Sequence, residues 1–213
     1  RRGERIVDFC AGAGGKSLAL AARMRNSGQI LAFDTDGERL ARLVPRAARA
    51  GVSIITSVRI DGVADPRLSR YAGRADRVLV DAPCSGTGTL RRSPDLKWRL
   101  HPGLLAYYRQ QQQAILAVAA TLVRPGGLLV YATCSLLDEE NEQQVGAFAP
   151  PADGRRGPGQ APAGTVGRSN PRPATFVPTE QARWLPGPEG GDGFFVAKWE
   201  LRSPGGGLPG TIQ

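Results

Sequence analysis

The sequence predicts an α/β protein built on a mostly parallel, doubly wound sheet. Three observations predict it. Short apolar runs alternate along the chain with longer segments of helical period, the pattern of βαβ units. The first apolar run stops at a glycine-rich turn, Gly12-Ala13-Gly14-Gly15, that leads into a helical segment. The second ends on an acidic residue, Asp34, about 20 residues further on, the spacing at which such folds hold a nucleoside. With 213 residues, 41% of them hydrophobic, the chain is long enough to bury one full core and short enough to need only one domain.

Taken in order, Arg5 to Phe9 reads as a strand and Leu18 to Met24 as the helix after the glycine turn. Gln29 to Phe33 is the second strand, Glu38 to Ala50 the second helix and Ser53 to Val58 the third strand. Arg77 to Val80 and Leu128 to Ala132 are two further strands, separated by the long helical pattern of Leu104 to Leu122. Asp138 to Phe148 opens on an acidic turn, which suits a helix N-terminus because carboxylates oppose the positive end of the helix dipole. Phe194 to Trp199 reads as a returning strand. Residues 150–173 are rich in Pro, Gly, Ala and Arg with hardly a large apolar side chain, so they are expected to form a flexible loop, and 203–213 a disordered tail. The domain is therefore expected to comprise 1–149 and 174–202. The sequence shows no internal repeat.

The formal charge is +9, and of 28 cationic residues only Lys16, Lys97 and Lys198 are lysines. That balance favours a polyanionic partner, although a GC-rich coding sequence would raise Arg, Ala, Gly and Pro together. Cys10, Cys84 and Cys134 are too few and too scattered for a disulfide framework and contain no C-x-x-C pair for zinc. No metal is expected. No apolar run approaches the length of a membrane span and no signal-peptide pattern opens the chain, so a cytoplasmic location is expected. The abrupt start, Arg1-Arg2-Gly3-Glu4-Arg5, reads as a cut.

Asp8-Phe9-Cys10-Ala11-Gly12-Ala13-Gly14-Gly15-Lys16-Ser17 carries the first chemistry. Its glycines permit positive φ and close approach of a ligand, while the helix N-terminus offers unpaired N–H groups. Gly15-Lys16-Ser17 resembles the end of a phosphate-binding P-loop, but that motif needs glycine where Cys10 stands. A tight βα turn without a ligand is the plainer reading. Asp34 is placed to accept two ribose hydroxyls, whereas Asp36 suits a helix cap. Asp61 either hydrogen-bonds an adenine or initiates the turn with Gly62. Nicotinamide dinucleotides and S-adenosylmethionine both suit such a site, and the spacing does not choose between them.

The cysteines do. Cys84, in Asp81-Ala82-Pro83-Cys84-Ser85-Gly86, and Cys134, in Thr133-Cys134-Ser135, each fall just past the end of a predicted strand, at the edge where the glycine turn also lies. A free cysteine is by itself most often a small buried hydrophobe. Two at matching positions predict one pocket.

Asp81 to Gly88, Arg91-Arg92-Ser93-Pro94-Asp95-Leu96-Lys97-Trp98, Tyr131 to Ser135 and Glu139-Glu140-Asn141-Glu142, in this order, resemble the RsmB/Nop2/Sun family of RNA cytosine-5 methyltransferases. The resemblance runs from the glycine turn to Gly191-Asp192-Gly193-Phe194-Phe195 and fails across 150–173. It implies a Rossmann-like methyltransferase fold and an RNA substrate, ribosomal by similarity to bacterial members, with transfer RNA as the other class. It also implies that Cys10, Ala11, Gly12, Ala13, Gly14, Gly15 and Lys16, with Asp34, Asp61 and Asp81, hold S-adenosyl-L-methionine. Cys134 becomes the nucleophile, and Cys84 assists product release.

The chemistry accounts for these residue types. Carbon 5 of cytosine is a poor nucleophile until a thiolate adds to carbon 6, and that addition needs charge at N3 neutralised, a task for a carboxyl group such as Asp81. Cys134 therefore requires electropositive surroundings. The target base must leave its stack. Arg91, Arg92, Lys97 and Trp98 mix cations with an aromatic face suited to phosphate and base contact, or form an ordinary solvated loop. His101 reads as a loop residue, Gln110 to Gln113 as a polar exposed helical segment, and Trp184 and Trp199 as packing residues.

Two departures from the family stand out. Ala13 replaces a proline common in relatives, and only seven residues precede Asp8 where relatives usually carry an N-terminal RNA-binding extension. A methyltransferase acting on another substrate class, and an RNA-binding scaffold with a relict pocket, are the competing readings.

Overall fold

A computed structural model describes residues 1–148, 174–187 and 190–203. The expected loop at 150–173 and tail at 203–213 lie outside these residues apart from Ser203. Seven strands form one sheet: β1 (Arg5–Asp8), β2 (Gln29–Asp34), β3 (Ile55–Arg59), β4 (Ala75–Asp81), β5 (Val123–Thr133), β6 (Thr175–Trp184) and β7 (Phe194–Arg202). Their order is β3-β2-β1-β4-β5-β7-β6, with β7 antiparallel to both its neighbours and the other pairings parallel. The chain reverses its direction of travel across the sheet between β1 and β4. This is the switch point where the loops leaving the carboxyl ends part and leave a crevice.

The helices are α1 (Gly15–Arg23), α2 (Gly37–Arg49), α3 (Leu96–Arg99), α4 (Pro102–Leu122) and α5 (Glu142–Ala147). Val78, Val80, Leu129 and Tyr131 on the central strands are completely buried, and the C-terminal half of α4 lays Leu116, Ala119 and Leu122 against the same core. Each large apolar side chain so buried contributes about 1.5–3 kcal/mol, so the sheet centre is the rigid platform from which the functional loops project.

Three expectations need correction. Asp138 to Phe148 is not one helix: a 3-10 turn at Asp138–Glu140 breaks at Asn141 (φ −114°, ψ −98°) before α5 begins. The break lets Asn141 bond Thr133 Oγ1 and the Ser135 carbonyl, at 2.6 and 2.9 Å. Strand β6 was not expected at all. It is an edge strand with mostly exposed residues and a proline, Pro178, so it lacks the apolar alternation that marks half-buried strands. Trp184, expected to pack, is 53% exposed at its end, while Trp199 is buried against Phe148 as expected.

Candidate active site

The glycine turn closes as its composition requires. Gly12 and Gly14 have φ of +53° and +79°, and α1 starts at Gly15 with no side-chain cap on its first turn. A Cβ on Gly14 would lie 2.1 Å from Leu43 Cδ1, in a side chain that is itself buried. We therefore expect Gly14→Ala to cost about 2–4 kcal/mol, through left-handed strain plus overpacking, read as a lowered urea midpoint at unchanged m-value. Above Gly15 a Cβ would meet nothing within 4 Å. With no side-chain cap on α1, its first N–H groups suit a ligand.

Asp34 ends β2 and folds back on this turn. Its Oδ2 accepts the Gly12 N–H at 2.7 Å and its Oδ1 the Asp36 N–H at 2.9 Å. A carboxylate has about four lone-pair positions, so both oxygens keep capacity for ribose hydroxyls. Asp36 caps α2 by accepting the Arg39 N–H at 2.9 Å. Asp61, beyond β3, is largely exposed and lies near Arg59 and Arg67, at 3.7 and 3.4 Å. Cys10 packs against the core, and burial pushes its thiol up, so any contact it makes with a cofactor falls to its backbone.

Asp8, at the end of β1, is completely buried and accepts the Ser17 hydroxyl at 2.6 Å. Burial raises its carboxyl to about 6, against the opposing Ser17 bond. Lys16 reaches from α1 to Asp81 at the end of β4, Nζ to Oδ2 2.7 Å, and lies 5.3 Å from the centroid of the Phe194 ring.

The two remaining cysteines meet. Cys84 and Cys134 Sγ are 3.5 Å apart, at the ends of the adjacent parallel strands β4 and β5. The shared hydrogen bond lowers Cys134 to about 7 against the opposing effects of burial and Asp81, with a further favourable contribution from the Lys16 charge. The same bond, together with burial, pushes Cys84 up. Both effects favour the negative charge on Cys134 and the S–H on Cys84, which polarises the pair.

Both loops are pinned. The Gly88 N–H donates to the Cys134 carbonyl and the Gly193 N–H to the Gly88 carbonyl, each at 2.8 Å. A Cβ on Gly88 would lie 2.4 Å from the Gly193 oxygen, so only glycine permits the three segments to stack.

Two residues that sequence reasoning missed stand behind Cys84. Glu140 is completely buried, and Gln112, expected on an exposed face, is completely buried too. A run of four glutamines exceeds one helical turn of 3.6 residues, so one of them must face inward. Gln112 shares its helix face with Leu116 and Ala119, and that periodicity was the available signal.

The exposed basic segment is less assembled. Arg92 pairs with Asp192 at 2.6 Å, and the Arg91 guanidinium lies against Gly190. Lys97 Nζ sits 4.7 Å from the ring centroid of Trp98, which is 80% exposed.

A family model described as 16S rRNA methyltransferase RsmB/F matches residues 1–200. The chain belongs to that family. Among its curated relatives, the ribosomal RNA small subunit methyltransferase B of Klebsiella pneumoniae is 40% identical over 197 residues, covering 92% of this chain and 42% of the relative. A probable ribosomal RNA small subunit methyltransferase B of Synechocystis sp. is 44% identical over 147 residues, covering 68% of this chain and 32% of the relative. Thus the chain spans less than half the length of these RsmB/F relatives. The crystal structure of NSun6 from Pyrococcus horikoshii with SFG superposes with a TM-score of 0.72 at 28% identity, covering 93% of this chain and 48% of that one. Membership accounts for the Rossmann-like sheet and for the motifs at the ends of β1, β4 and β5. Among the described residues no helix is long and apolar enough to cross a membrane.

Proposed function

We propose that this domain transfers a methyl group from S-adenosyl-L-methionine to carbon 5 of a cytosine in RNA, with small-subunit ribosomal RNA as the substrate class. The observation that carries it is the polarised Cys84–Cys134 pair at the ends of adjacent strands, beside a glycine turn with an acidic ribose site. Residues 1–149 and 174–202 form the catalytic unit in this reading. The backbone from Cys10 to Lys16 and the Asp34 carboxylate suit the methionine and ribose parts of the cofactor, with Asp61 toward the adenine and Asp81 toward the transferred group. When bound, S-adenosylmethionine supplies an electrophilic methyl group.

The chain's own residues do the rest. Cys134 thiolate adds to carbon 6, forming the C6–S bond and pushing electron density through carbon 5 and toward N3. The Lys16–Asp81 pair relays a proton from the Lys16 ammonium through the Asp81 carboxyl to N3 as negative charge develops there, and takes it back when the C6–S bond breaks. After carbon 5 gains its methyl group, its proton departs to a water held by the Cys84 S–H and from there to solvent, as the one proton the reaction releases. The C6–S bond then breaks, returning Cys134 as thiolate. Lys97 and Trp98 present a phosphate contact and a stacking face to the RNA, with Arg91 and Arg92 nearby.

The test is nucleoside analysis of small-subunit ribosomal RNA after incubation with labelled S-adenosylmethionine. Label in 5-methylcytosine supports the reading, and label in any other nucleoside or in none overturns it. A pH dependence follows from the thiols. The reactive form of Cys134 is deprotonated, so the single-turnover rate should rise tenfold per pH unit below about 7 and level off above it. An ordinary thiol would instead keep gaining rate toward the alkaline range.

A further inference from the structure

The thiol pair is chemically symmetric, yet only one member can be the nucleophile, and the polarity needs a cause outside the pair. The groups that face it differ on its two sides. Near Cys134 stand Lys16 from α1 and Asp81 from β4, which bond each other at 2.7 Å and largely cancel. Near Cys84 stand Tyr108 from α4, Tyr131 from β5 and the Glu140 carboxylate from the 3-10 turn after β5. Among the described residues no cation pairs with Glu140.

Glu140 is also bound firmly to the Cys84 loop. Its Oε1 accepts the Ser85 N–H at 2.9 Å and the Gln112 Nε2 at 3.1 Å, its Oε2 accepts the Ser85 hydroxyl at 2.5 Å, and its backbone carbonyl accepts the Tyr131 hydroxyl at 2.7 Å. Gln112 Nε2 donates in addition to the Pro83 carbonyl at 2.9 Å. Residues on both sides of Cys84 are therefore held by one carboxylate and one amide. The arrangement leaves Gln112 Oε1 buried with no partner, a defect of the kind that folds seldom keep without a return.

We infer that Glu140 is the positioning residue that assigns the roles of the two thiols: clamped with Gln112 against the Cys84 loop, its buried charge keeps Cys84 as the S–H donor and leaves Cys134 as the nucleophile. A negative charge in a poorly screened interior opposes a second one close by. It acts most on the nearer thiol, so the anion of the pair settles on Cys134. The nucleophile is thus selected from behind its partner. The assignment rests on the reading under Proposed function for the reaction it serves, but not for its test.

The test is iodoacetamide alkylation of the intact protein across the neutral to alkaline range, with each thiol followed by peptide mass spectrometry, in wild type and Glu140→Gln. The isosteric amide removes the charge and keeps the shape. Cys84 alkylation at a fixed alkaline pH is expected to rise about tenfold, corresponding to about one pH unit in its titration, while Cys134 changes by less than about threefold. Glu140→Asp, which keeps the charge, is expected to restore the wild-type order. A folded Glu140→Gln protein with wild-type rates at both thiols overturns the inference.

Should Glu140→Gln fail to fold, Cys134→Ser gives an independent reading. There the partner thiol is gone and burial is common to both proteins when Glu140→Asp is added, so withdrawing the carboxylate by one methylene is expected to speed Cys84 alkylation about threefold at fixed pH, and an unchanged rate overturns the inference. These measurements use neither RNA nor cofactor. Failure to methylate RNA would therefore leave them standing, and their failure would leave the methylation reading intact.

Discussion

Cys134→Ala is expected to lower single-turnover methylation of RNA on the order of 10⁴-fold or more while leaving S-adenosylmethionine affinity within about twofold. The size follows from the chemistry, because without a thiolate at carbon 6 no other group of the site makes carbon 5 nucleophilic. The selectivity follows from placement. Cys134 lies at the end of β5, two strands from β1, whereas the proposed cofactor cradle spans β1, α1 and β2. Rapid-quench incorporation of labelled methyl groups and calorimetric cofactor binding check the two halves. A variant that retains more than a hundredth of wild-type rate would remove Cys134 from the mechanism.

Cys84→Ala is expected to do the opposite at first sight, allowing the first half of the reaction and stalling the second. Cys84 lies 3.5 Å from Cys134, and in the proposed reaction its S–H holds the water that takes the proton from carbon 5 before Cys134 is eliminated. Its loss should leave a covalent protein–RNA adduct as the main product of the first turnover, with steady-state turnover down on the order of 10²-fold or more. Denaturing gel mobility detects the adduct, and peptide mapping should place it on Cys134 with a methylated cytosine attached. Free methylated RNA released at wild-type rate would show that Cys84 has no part in release. The same variant removes the hydrogen bond that lowers Cys134, so the pH at which its rate levels off should move upward.

How far the sequence revealed this arrangement depended on the kind of residue. Strands β1 and β2 were visible because both faces are buried, and β4 and β5 because Val78 to Val80 and Leu128 to Ala132 run apolar with the second face only partly exposed. The end-of-strand positions of Asp34, Asp81, Cys84 and Cys134 followed once the strands were set. Lys16 was placed at the glycine turn, but its reach to Asp81, 65 positions away, is a tertiary fact that no local pattern carries. Strand β6 was hidden because an edge strand with one proline and mostly exposed residues resembles a loop. Glu140 was hidden for a different reason. In an acidic run, Asp138-Glu139-Glu140, the plain physical expectation is solvation, and only the broken turn at Asn141 sends its third member inward to Ser85. Buried polar groups with long-range partners are where sequence periodicity carries least.

The stacking of Gly88 between Cys134 and Gly193 fixes an order of events during synthesis. The Cys134 loop and the Cys84 loop are both complete by residue 135, yet the N–H of Gly193, which caps the stack, is made nearly sixty residues later, immediately before the strand that closes over β5. Until that strand has left the ribosome and paired, the Cys84 and Cys134 loops hold only to each other, through Gly88, Thr87 and Ser135. A nascent or prematurely ended chain would hold the glycine turn and both cysteines without the Gly193 cap on their stack. The stack around the two thiols is completed last.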